Sequence, residues 1–159
     1  MKINQSGFTL IELVVVFGIL LMISGLVTFS LISNQRIASV TSAIDGLVSD
    51  MSSQQTKAML GAGASNGISY GIYFQADKYV LFQGKIYDPL DTNNFTVEID
   101  SGLTISSILL SNPLIFSAGT GTVSAFLNGQ DNSISIQDKQ GTKTEALTIN
   151  RYGVITEQN

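Results

Sequence analysis

The chain has 159 residues, with 8 Lys and Arg against 12 Asp and Glu and a formal net charge of −4, a balance that offers nucleic acid no basic face. It contains no Cys and no His, which removes thiol nucleophiles, imidazole bases, disulfides and the usual zinc ligands together. The length predicts one globular domain with an appendage, and no cofactor is expected.

Met1 to Gly7 is short and polar, with Lys2 its one charged side chain. From Leu13 to Ile32 the chain is almost unbroken Leu, Ile, Val, Phe and Met, relieved by Ser24, Thr28 and Ser30, whose hydroxyls can bond back to helix carbonyls. About 20 apolar residues at 1.5 Å rise span a hydrocarbon core of about 30 Å, so a membrane-spanning helix is the direct reading. A secretory signal peptide would have a shorter apolar core and a small-residue cleavage site, which Thr28-Phe29-Ser30 matches poorly. An uncleaved signal anchor fits the hydropathy equally well, but neither explains Glu12. A carboxylate inside an apolar run costs about 2.5–3.5 kcal/mol at a bilayer centre and less near its edge, where it can snorkel.

Gly7-Phe8-Thr9-Leu10-Ile11-Glu12-Leu13 resembles the cleavage and methylation motif of type IV prepilins and type II secretion pseudopilins, at every position of that motif. The resemblance implies a leader of residues 1–7, cut after Gly7 by a prepilin peptidase on the cytoplasmic side, and N-methylation of the new terminus at Phe8. It implies a subunit held by a single pass in the bacterial inner membrane, with its N-terminus inside and its head outside. Membrane lipid would surround the helix until an inner-membrane assembly platform passes the subunit, with other pilin or pseudopilin subunits, into an extracytoplasmic filament. The physics agrees with this carry-over. Cleavage creates a positive amine about one helical turn from Glu12, at a helix end that already favours negative charge. In a filament Glu12 would pair with a neighbour's amine, and any offset that left it unpaired in a low-dielectric core would be penalised.

Beyond the apolar helix of residues 8–32, Ile37, Val40, Ile44, Leu47, Val48, Met51 and Met59 recur at three- and four-residue steps. This predicts an amphipathic continuation over 33–60, ending at Gly61-Ala62-Gly63-Ala64. A helix from Phe8 to Leu60 would be about 80 Å long at 1.5 Å per residue. Many pilins carry a proline in the apolar half; here Gly18 and Gly25 are the weak points. Each costs about 1 kcal/mol of helix propensity relative to Ala, and they permit either stretching or close packing of neighbouring helices. The cysteine pair that closes a C-terminal loop in many major pilins is also missing.

After Gly67 the pattern turns to period two. Strands are expected at 69–75, 79–87 with a kink near Gly84, 95–100, 103–110, 114–117, 122–127, 133–137, 146–150 and 154–156, separated by turn-forming segments. The fold class is therefore α+β: a long N-terminal helix packed on an antiparallel sheet or small sandwich head over residues 68–159. The closing segment, Ala146 to Ile155, resembles the strand, Gly turn and short strand that end many H-type minor pseudopilins and related minor pilins; any hairpin with a Gly turn would also fit it.

No catalytic constellation is visible, because no histidine is present to activate any of the serines. Asp88, Asp91 and Asn93 around Pro89 offer oxygen ligands for calcium, though such residues mark ordinary turns more often than metal sites. The expected role is thus structural, not enzymatic. Alternatives are a filament-tip module that binds DNA, a surface or a secreted substrate, and a membrane-anchored β-domain that never polymerises.

Overall fold

The computed structural model describes residues 7, 9–61, 67–107, 112–124, 126 and 132–158, with backbone alone at 26–34 and 36. The chain divides into two compact units, residues 1–37 and 38–159. One helix, α1 (Leu10–Leu60), runs through both, and its two parts are taken separately.

In the first unit, the described side chains from Leu10 to Gly25 are all exposed, and the backbone stays helical through Gly18 and Gly25. A Cβ at either glycine would meet nothing within 4 Å, so nothing among the described residues demands glycine there. Among the described residues no helix is long and apolar enough to cross a membrane. The expected span continues over 26–32, where the side chains lie outside the described residues.

In the second unit, α1 buries one face: Val40, Ile44, Leu47, Met51, Gln54 and Ala58 are each no more than 2% exposed. These positions alternate steps of four and three, which keeps one stripe on one side of a 3.6-residue helix. The stripe differs from the expected one at its ends. Ile37 and Met59 are exposed, whereas Gln54 and Ala58 are buried. The helix closes where Gly61 takes a left-handed φ of 62° and donates to the Ala58 carbonyl at 3.3 Å. The rest of the expected stop, Ala62 to Ala64, lies outside the described residues.

Eight strands follow: β1 (Tyr70–Phe74), β2 (Lys78–Gln83), β3 (Phe95–Glu98), β4 (Leu103–Ser107), β5 (Leu114–Phe116), β6 (Ser133–Asp138), β7 (Thr144–Ile149) and β8 (Ile155–Gln158). They form two four-stranded sheets, in the orders β3-β2-β1-β5 and β4-β6-β7-β8. Every pairing is antiparallel. Alternation sets the faces: Ile134 and Ile136 are buried, while Ser133 and Ser135, which alternate with them, are partly exposed. The buried residues of both sheets and of the helix stripe form one cluster, including Ile72, Phe74, Leu103, Ile105, Phe116, Ile134, Leu147 and Ile149. Fully burying such a side chain contributes about 1.5–3 kcal/mol.

Two expected strands change in kind. Among the described residues of 122–127, the pairing is an isolated bridge, Val123 to Phe116. Gly119 and Gly121, at φ of 77° and 65°, shape the turn that precedes this stretch. The Ser124 amide donates to Ile115 of β5 and the Val123 amide to Arg151, while the Gly121 amide just before the stretch donates to Ser117. Ala125 and Leu127 lie outside the described residues. The strand expected over 79–87 stops at Gln83, because Gly84 turns at φ 120° and donates to Ser69 at 2.7 Å. Tyr87 folds back instead and stacks on Tyr73, with centroids 4.3 Å apart, and meets Phe82 edge-on. The last strand starts one residue late because Val154 is held in the turn by Asn150. Residues 108–110 of the expected fourth strand lie outside the described residues.

Candidate functional site

The features that point to a role lie at the start of the chain. Gly7 is exposed, and a Cβ there would meet nothing within 4 Å. Phe8 lies outside the described residues. Thr9 caps α1: its hydroxyl accepts from the Glu12 amide at 3.3 Å, and its carbonyl accepts the Leu13 amide at 3.2 Å. Glu12 reaches back, with Oε2 accepting from the Thr9 amide at 3.1 Å and the Thr9 hydroxyl at 3.0 Å. This reciprocal pair is a capping box, which satisfies two donors that a helix start would otherwise leave open.

Thr9 is therefore a member of the site that the resemblance alone did not bring forward. The signal was present as Thr-x-x-Glu ahead of an apolar run. Glu12 is exposed, and both of its hydrogen-bond partners among the described residues are on Thr9. It stands within an exposed apolar surface: Leu10, Ile11, Leu13, Val14, Val15, Val16 and Phe17 are each at least half exposed. An apolar surface of this extent is not left open to water by a soluble monomer, and it requires lipid or protein partners. Gly18 and Gly25 lie on the same exposed stretch of helix.

The head holds polar contacts that fix the helix in the second unit. Gln54, in the buried stripe, donates to the carbonyls of Gly71 at 3.0 Å and Phe82 at 3.4 Å, one on β1 and one on β2. Tyr79 of β2 donates to Asp50 at 2.7 Å. Burial pushes the Tyr79 phenol above its usual range, and the Asp50 hydrogen bond and charge act in the same direction. Thr41 donates to Glu145 of β7 at 2.7 Å, and Lys143 pairs with the same carboxylate at 3.4 Å. These contacts anchor one helix to both sheets.

At the calcium candidate, one oxygen of each carboxylate is engaged by its own turn. Asp88 accepts from the Leu90 amide at 2.9 Å, and Asp91 accepts from both the backbone and side-chain amides of Asn93 at 2.9 and 2.8 Å. Among the described residues no group of three His, Cys, Asp or Glu side chains is placed to hold a metal ion.

Comparison with known proteins meets the same segment. Residues 2–28 match the family described as the prokaryotic N-terminal methylation motif. That match contains Gly7, Phe8, Thr9, Glu12, Gly18 and Gly25 and supports a type IV pilin-like family; it does not extend to the head. No curated protein and no solved structure matches the chain.

Proposed function

We propose that this chain, a type IV pilin-like precursor by its N-terminal segment, is a minor pilin or pseudopilin that serves as a structural filament subunit. A prepilin peptidase cuts it after Gly7, and Phe8 becomes the methylated N-terminus. The helix anchors it in the inner membrane by a single pass, with the head outside, until an assembly platform moves it into a filament among other subunits. The observation that carries this reading is one acidic residue, Glu12, in the first turn of an exposed apolar helix within the methylation motif.

The chemistry of assembly follows from that placement. Before cleavage the Glu12 carboxylate is held by the Thr9 amide and hydroxyl. Cleavage adds a positive amine at Phe8, which is a stronger partner for a carboxylate than a neutral donor. In the filament the amine of an adjacent subunit satisfies Glu12 where water is excluded, so only the register that pairs them is stable. Gly18 and Gly25 let neighbouring helices approach closely along the same face.

Glu12→Leu tests this assignment. The variant is expected to insert into the membrane as the wild type does, and to be lost from sheared filaments. Normal incorporation of the variant would refute the pairing role.

A further inference from the structure

We propose that Met59 is an oxidation site, at which a peroxide makes a sulfoxide that loosens the end of α1 from the turns packed against it. The chain has four methionines, Met1, Met22, Met51 and Met59. Met1 belongs to the leader that cleavage removes, and Met22 lies in the exposed apolar stretch that lipid or detergent covers. Of the two in the head, Met51 is 2% exposed and Met59 is 54% exposed. Thioether oxidation follows access, so aqueous peroxide reaches Met59 and not Met51.

Met59 is open to water on one side and packed on the other. A Cβ at Gly121 would lie 2.5 Å from Met59 Cγ, 3.0 Å from its Sδ and 3.1 Å from Gln55 Cγ. The two side chains therefore lie together over a glycine that leaves them room. Gln55, one helical turn before Met59, donates from Nε2 to the Gly121 carbonyl at 3.0 Å and to the Tyr152 carbonyl at 2.6 Å. The Gly119 amide donates to the Ala58 carbonyl at 2.8 Å, and the Val123 amide to the Arg151 carbonyl at 3.0 Å. The helix end, the turn over 117–122 and the turn over 150–153 are thus tied together beside the Met59 sulfur.

A lone pair on Sδ attacks one oxygen of the peroxide. The S–O bond forms as the O–O bond breaks, and the departing hydroxide takes the proton of the transferred oxygen and leaves as water. The sulfur loses two electrons and the peroxide gains them. A thioether is apolar and a weak acceptor, whereas the sulfoxide is polar and presents an acceptor oxygen. Over Gly121 that oxygen competes for the Gln55 amide, whose donors are given to the two turns. If the oxidised side chain lifts into water instead, the packing over Gly121 is lost all the same. Sulfoxide reductases return the thioether, which makes the change reversible.

The test is a time course of the full-length chain in detergent with dilute hydrogen peroxide, read by peptide mass mapping and amide exchange. Met59 is expected to gain one oxygen while Met51 stays reduced. The Gly119 amide is then expected to exchange about fivefold faster, the factor that losing one neutral hydrogen bond predicts. Met59→Leu keeps the volume and the apolar surface, so it is expected to fold and to show no peroxide response at Gly119. Absence of oxidation at Met59, oxidation of Met51 at the same rate, unchanged exchange at Gly119 after Met59 is oxidised, or the same response in Met59→Leu would overturn the proposal.

Discussion

Thr9 and Glu12 hold each other through three hydrogen bonds at the first turn of α1. Replacing Thr9 with Ala removes the cap and is expected to cost about 1 kcal/mol of local helix stability. It also leaves the Glu12 carboxylate one fixed partner fewer, so amide exchange over residues 10–13 should rise in Thr9→Ala while the head is unchanged. Unaltered exchange there would count against the cap. Tyr79 offers a second test at this scale, and its sign is fixed by burial. The phenol is raised when folded, whereas an unfolded tyrosine ionises near pH ~10. Above that pH the unfolded state loses the proton first. The Tyr79 contribution is therefore complete below it and falls as pH rises through the alkaline range. Urea midpoints measured from neutral to alkaline pH should decline less steeply for Tyr79→Phe than for the wild type; equal slopes would contradict this account.

At the scale of elements, α1 shows what hydrophobic pattern reveals and what it hides. The stripe through Val40, Ile44, Leu47 and Met51 was legible because apolar side chains recur at helical spacing. Its continuation was not. Met59 looked like the next member, yet the buried positions are Gln54 and Ala58. A polar residue in a core stripe is invisible to a hydrophobic pattern, and it is tolerated here because two strand carbonyls receive its amide. Gln54→Ala should then destabilise the head by about 1–3 kcal/mol, since those carbonyls lose a buried donor. A urea midpoint unchanged from the wild type would show that water replaces it freely. Gly71, the acceptor on β1, is equally constrained. A Cβ there would run into the Phe82 ring and lie 2.8 Å from the Leu114 carbonyl, so Gly71→Ala is expected to cost about 1–3 kcal/mol as an overpacked site. The strand lost over 122–127 has a related cause. Val123, Ala125 and Leu127 recur at period two in the sequence, but Gly119 and Gly121 turn the backbone just before them.

Across the whole molecule, the α+β class and most of the strands were readable from period-two alternation and turn residues. A small sandwich was one of the two architectures expected, but which strands join which sheet was not readable. β5 pairs with β1 across a long stretch of chain, while β4 between them joins the other sheet. Such long-range pairing depends on packing that no local pattern carries. The candidate site was legible for a different reason. Gly7, Phe8 and Glu12 are close in sequence, and the chemistry they imply needs no distant partner from the same chain. The central claim is that this segment is processed as a filament precursor. Intact-mass measurement of the full chain co-expressed with a prepilin peptidase tests it most directly. The account predicts a product that begins at methylated Phe8, and a chain that keeps Met1 to Gly7 under those conditions would contradict it.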